Sequence, residues 1–187
     1  MSRQAPQIRD AVPEDAAELL ELWSASVRSG VTTMRAQEDA ERALAGLAAD
    51  PDQRLLVAEA DGGIVAAMKL SRGQISPLVL ESVMHTSFLL VRPKYRLHGY
   101  GHALLDAALS WAEEKDINDV TVITDGNRET NRFFARLGLA TVGTMRHSSV
   151  VGLRKKLASE RRHHGGNRHL VEVLAQRRSM RRRQTSV

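Results

Sequence analysis

The stretch from Leu89 to Gly101, Leu-Leu-Val-Arg-Pro-Lys-Tyr-Arg-Leu-His-Gly-Tyr-Gly, holds the groups best placed to do chemistry. Arg96-x-x-Gly99-x-Gly101 sets two residues without side chains in a basic turn, between an apolar strand end and a helix start. Glycines there leave backbone N–H groups free to point at a ligand. The helix adds its unpaired first-turn N–H groups and the positive end of its dipole. Phosphate or pyrophosphate is what such a cradle holds, so Arg96, Leu97, His98, Gly99, Tyr100 and Gly101 are candidate binding residues. Two other phosphate loops do not fit. A dinucleotide loop needs a third glycine where Leu104 stands, and a nucleoside-triphosphate loop needs Gly-Lys-Ser/Thr, which is absent.

Upstream, His85 offers an imidazole, whose ordinary pKa of about 6.5 suits general base work at neutral pH. It stands six residues before Val91 on what reads as one long strand, Leu78 to Val91, so strict alternation puts both side chains on one face. Glu81, four residues before His85, shares that face and could act through a water. The plainer alternatives are a histidine packed at the sheet rim and a solvated strand-end carboxylate.

The elements that must position these groups follow from periodicity. Gln7 to Ala11 reads as a first strand. Pro13 opens a helix with Ala16, Leu19, Leu20, Trp23 and Val27 as its apolar stripe. Gln37 to Ala49 is a second helix with Ala40, Ala43, Leu44 and Leu47 inward. Arg54–Ala60 and Ile64–Ser71 read as strands joined by the hairpin signal Asp61-Gly62-Gly63. Gly73 to Pro77 is a break before the long strand. The helix from Gly101 to Glu114 presents Ala103, Leu104, Ala107, Ala108, Trp111 and Ala112 as one face. Asp119–Thr124 is a strand, and Asn127–Leu137 a helix that buries Phe133, Phe134 and Leu137 and stops at Gly138. Ala140–Met145 and Ser148–Lys155 read as a closing antiparallel pair. The order implies an α/β fold, a mixed central sheet with helices on both faces, with its ligand at the carboxyl ends of strands that part company.

The Arg96–Gly101 loop resembles the acetyl-CoA-binding segment of the GNAT N-acetyltransferase superfamily, Arg/Gln-x-x-Gly-x-Gly/Ala. Asn127 to Leu139 (Asn-Arg-Glu-Thr-Asn-Arg-Phe-Phe-Ala-Arg-Leu-Gly-Leu) is similar to a later segment of that family, so the resemblance runs from about residue 8 to 155. It implies a GNAT-like acyl-CoA N-acyltransferase fold and a direct attack of a primary amine on acetyl-CoA. Leu89, Leu90 and Val91 would flank the acyl group, with the backbone N–H of Val91 or Leu90 on the thioester carbonyl. A fixed donor of this kind contributes about 2.7–4 kcal/mol. Some family members carry a catalytic glutamate at the position of His85. The first two helices and their loop would border the acceptor site. Asn127 matches an asparagine that contacts CoA, and it equally suits a helix N-cap. Phe134 replaces a tyrosine that in many members protonates the leaving thiolate. Phenylalanine cannot do so, and packing against CoA or the helix is its expected role.

Composition bounds the rest. The 187 residues include no cysteine, which excludes thiolate metal sites and a cysteine nucleophile and suits a reducing compartment. The N-terminus lacks an apolar signal core, and no apolar run reaches bilayer length, so a cytoplasmic protein with no membrane contact is expected. Residues 1–153 carry 16 Lys+Arg against 20 Asp+Glu, and residues 154–187 carry 11 against 2. The basic character therefore belongs to the tail. The expected organisation is an acetyltransferase domain over 1–157 and a His/Arg-rich tail over 158–187. His163, His164 and His169 have no compact metal spacing, and no metal is expected. The partners expected are an amine acceptor, a second copy of the chain, and nucleic acid through the tail alone. The alternative function is a catalytically weak acyl-CoA-binding module whose tail holds nucleic acid or a protein.

Overall fold

A computed structural model describes residues 6–26, 34–124 and 128–160. The chain divides into two compact units, Met1–Leu139 and Ala140–Val187. In the first, β1 (Gln7–Asp10) leads through a 3₁₀ turn to α1 (Ala16–Ser26) and α2 (Met34–Ala49). Then come β2 (Gln53–Ala60), β3 (Gly63–Gln74), β4 (Ser82–Val91), α3 (Tyr100–Glu114), β5 (Asp119–Ile123) and α4 (Arg128–Arg136). One sheet runs in the order β1-β2-β3-β4-β5. Its pairings are antiparallel as far as β4, and β4–β5 is parallel. The mixed sheet with helices is the fold expected.

Alternation along the strands splits the apolar residues between two faces. On one, Leu56, Met68, Leu70 and Met84 pack with Leu104, Ala108 and Trp111 of α3. On the other, Leu55, Val57, Ile64 and Ala67 pack with Leu19 and Leu22 of α1 and Leu44 of α2. Leu22, not Leu20, is the deeply buried leucine of α1, and Ala43 of α2 is exposed, so both stripes are rotated slightly from expectation. The β2–β3 turn behaves as its sequence demands. Asp61 and Gly62 both have positive φ, 53° and 81°, the pairing that a two-residue hairpin loop requires.

Arg9 ties the start of the chain to the sheet. Its guanidinium donates to both carboxylate oxygens of Asp15 (2.6 and 2.9 Å) and to Glu59 (2.6 and 2.8 Å). Asp15 also accepts the Val12 N–H at 2.8 Å and is buried. The Arg9 hydrogen bonds hold the Asp15 carboxyl below its ordinary 3.8. A lowered folded value means that this stabilisation is complete above the unfolded pKa and is lost as pH falls through the folded one. Asp15→Asn should therefore cost about 1.5–3 kcal/mol at neutral pH. Thermal melts should show the gap to the parent closing as acid protonates Asp15; a constant gap would refute the assignment.

Two expectations are corrected. Residues 78–81 are not strand: Val79 N–H bonds the Ser76 carbonyl in a turn, and Leu78 and Leu80 are exposed. The pair of strands expected over 140–155 does not form either. Residues 140–149 have no regular structure, and 150–160 are helical. The physical reason lies at Ser149, whose hydroxyl accepts the Gly152 N–H at 3.0 Å, while Leu153 N–H closes the first helical bond to the Ser149 carbonyl. That is an N-cap. Val150, Leu153 and Leu157 lie at helical spacing, which the apolar content alone did not distinguish from a strand. Among the described residues no helix is long and apolar enough to cross a membrane.

Candidate active site

The site lies where β4 outruns β5. Their register ends at Ser87–Ile123, so among the described residues the last residues of β4 have no strand partner on that edge. Arg92 N–H donates to the Val65 carbonyl of β3 at 2.8 Å. Strand amides alternate in direction, so the N–H groups of Val91 and Leu89 turn toward the open edge and that of Leu90 toward β3. The Val91 carbonyl faces the same way, with Arg96 Nε at 3.5 Å.

A bulge shapes β4. Its register with β3 passes from Leu90↔Ala67 to Ser87↔Lys69, three residues against two, and Phe88 has φ of 55°. The extra residue reverses the faces beyond it. Val91 packs with Met84 on the α3 face, so His85, next to Met84, faces the opposite side. The expectation that His85 and Val91 side chains share a face is therefore incorrect, because it assumed unbroken alternation. Phe88 stands over Trp23 of α1, ring centroids 5.3 Å apart.

After β4, Pro93–Tyr95 makes one 3₁₀ turn. The Tyr95 hydroxyl donates to Asp61 at 2.7 Å, anchoring this turn to the β2–β3 hairpin, and that carboxylate raises the phenol above its usual pKa. Leu97 (φ 61°) is fully exposed, and Gly99 (φ 93°) is the N-cap of α3. His98 Nδ1–H donates to the Arg96 carbonyl at 2.6 Å, closing the turn. The first bond of α3 runs from Ala103 N–H to the Gly99 carbonyl. The N–H groups of Tyr100, Gly101 and His102 are thus ahead of the helical ladder. A Cβ on Gly99 would meet nothing within 4 Å, while one on Gly101 would lie 3.6 Å from Phe133. The cradle is open on the Gly99 side and backed by α4 on the other.

Arg96 Nη1 lies 3.8 Å from Glu129 of α4. Phe134 is buried, edge-on to Phe133 at 5.1 Å, and Phe133 is edge-on to His102 of α3 at 5.0 Å. His85 is half-buried, its Nδ1 2.6 Å from the Thr121 hydroxyl of β5. Glu81 is exposed in the loop ahead of β4, so it does not share the strand with His85. Asn127 and the histidines at 163, 164 and 169 lie outside the described residues. Among the described residues no group of three or more His, Asp or Glu could hold a metal. Sequence reasoning missed Thr121 and Trp23, since only strand register and packing bring them to His85 and Phe88.

The parallel pair β4–β5 thus parts beside the start of α3, whose first N–H groups lie ahead of the helical ladder. The chain belongs to the acetyltransferase (GNAT) family, whose model matches residues 16–139. It is 30% identical over 139 residues to an amino-acid acetyltransferase of Pseudomonas putida, a match over 74% of this chain and 28% of that protein. The chain thus spans little more than a quarter of that relative's length. Solved structures with the same fold include glucosamine-6-phosphate N-acetyltransferase from Arabidopsis thaliana, with TM-score 0.65, 15% identity, and coverage of 79% of this chain and 99% of that one. Another is a predicted acetyltransferase from Clostridium acetobutylicum with acetyl-CoA, with TM-score 0.63, 13% identity, and coverage of 78% and 97%.

Proposed function

We propose that the chain transfers an acetyl group from acetyl-CoA to a primary amine by direct attack in a ternary complex. The observation that supports this reading is the outward Val91 N–H on a strand edge that has no partner among the described residues, followed by the Gly99–His102 cradle. The strand N–H meets a carbonyl, and the cradle anchors a diphosphate. Acetyl-CoA supplies the activated acetyl group. The residues from Arg96 to His102 hold its diphosphate, and Val91 N–H donates to the carbonyl oxygen as negative charge develops there. Leu89 and Leu90 wall the pantetheine side. Asn127 is proposed as a further CoA contact.

An alkylammonium with pKa of about 10.4 must lose a proton before its nitrogen can attack, at a cost of roughly 4–5 kcal/mol near pH 7. His85 takes that proton. Glu81, exposed ahead of β4, is a carboxylate that could relay it through water. Phe134 has no proton to give, so either a water or another donor protonates the thiolate or it departs unprotonated, which a thiol pKa near 8.5 permits. Amino acids are the first acceptors to try, because the Pseudomonas relative bears that name. Protein lysines, N-termini, polyamines and aminoglycosides follow. Beyond the acceptor, a second copy of the chain and nucleic acid at the basic tail are proposed partners. The cytoplasm is the proposed compartment, on the absence of cysteine.

The test is free-thiol release from acetyl-CoA across an amine panel, with CoA binding followed by calorimetry. Turnover above hydrolysis is expected with at least one amine. Binding without turnover would favour the catalytically weak acyl-CoA-binding module, and no binding would end both readings.

A further inference from the structure

His85 sits in a setting that nothing in the loop motif accounts for. Strand register places it between Ser71 of β3 and Thr121 of β5. Its Nδ1 lies 2.6 Å from the Thr121 hydroxyl, while its other ring edge lies over Gly73. A Cβ at Gly73 would stand 2.7 Å from both Nε2 and Cδ2, closer than side chains tolerate. The ring is therefore fixed from two sides, by a hydroxyl on one strand and by the missing side chain of another.

We infer that Thr121 and Gly73 are positioning residues that hold His85 as the Nδ1–H tautomer, which leaves Nε2 with its lone pair for the amine proton. This rests on the reading of His85 as the base. A neutral imidazole has one donor and one acceptor nitrogen, and the partner of one nitrogen decides the role of the other. When Thr121 Oγ1 accepts from Nδ1–H, Nε2 keeps its lone pair. The ammonium N–H bond then breaks as the Nε2–H bond forms. The resulting imidazolium still donates from Nδ1 to the same hydroxyl, so Thr121 needs no rearrangement during the transfer. Gly73 leaves room for that edge of the ring. Any side chain there would displace it by roughly an ångström, and misplacement of that size can cost about 10²-fold in rate.

The experiment uses the full chain, ¹⁵N-histidine NMR, and kinetics with the best amine from the panel. The NMR signature should be a protonated Nδ1 and bare Nε2 for His85, lost in Thr121→Val and kept in Thr121→Ser. In kinetics, Thr121→Val and Gly73→Ala should each lower kcat about tenfold or more, with CoA affinity and Tm near the parent's, and Thr121→Ser should restore most of the rate. An Nε2–H tautomer in the parent protein overturns the inference, whether or not any amine is turned over. So does a Thr121→Val enzyme with parental kcat and KM while His85→Ala is inactive, and that result leaves the base reading standing. A fully active His85→Ala removes the base reading and the inference together. The serine variant and the melts separate a fold defect from loss of orientation.

Discussion

Replacing His85 with alanine should lower kcat by about 10²–10⁴-fold, the contribution of a well-placed general base, and leave CoA affinity unchanged. The two effects separate because the histidine and the cradle belong to different parts of β4 and its exit. His85 is paired with Thr121 in the body of the sheet, whereas the cradle begins after the strand has ended. The deletion should also be mild structurally. The ring is half-buried and makes its side-chain hydrogen bond to a hydroxyl that can turn to water instead. Free-thiol release under saturating acetyl-CoA reads the loss directly. If the alanine variant turns over at the parental rate, the proton leaves by another route, and water-relayed transfer to Glu81 becomes the next idea to test.

Gly99→Val should do the reverse, weakening CoA binding by roughly 10–10²-fold. Gly99 holds φ of 93° at the N-cap of α3, a conformation that a β-branched residue adopts only under strain. Relieving the strain means rotating the turn, which re-aims the Tyr100, Gly101 and His102 amides. Each charge-assisted hydrogen bond lost is worth about 1.5–3 kcal/mol, and tenfold in affinity is about 1.4 kcal/mol. The valine side chain would also project into the space left open beside the cradle. Gly101→Ala is the matched control: it is a helical position, and its added methyl meets Phe133 at ordinary contact distance. Calorimetric titration of the three proteins with CoA decides the matter. Equal affinities would show that the diphosphate is held elsewhere.

Much of this architecture is legible in the residues themselves. The Asp61-Gly62 turn, the α3 face around Leu104 and Trp111, and the strand–loop–helix passage through Arg96 and Gly99 all depend on local chemistry, which sequence carries. What it concealed depends on pairing. The added residue at Phe88 leaves no mark in composition, because phenylalanine is an ordinary strand residue, yet it reverses the face on which Val91 lies. Thr121 approaches His85 only through the parallel register of β4 and β5, set by the length of the α3 crossover. At residues 150–160, a single serine hydroxyl selected helix over strand for a segment whose apolar content suited either.

The five-residue β5 has a further consequence. None of its residues is fully buried, whereas β2 buries four in succession, Leu55 to Ala58. Opening the sheet margin at β5 therefore exposes little new apolar area, and it costs less free energy than global unfolding. The proposed proton acceptor leans on this lightly buried edge strand, while the core is built from β2 and β3. Sub-global fluctuation and chemistry thus meet at one edge, and backbone breathing there would reach the His85 ring without disturbing the rest of the fold.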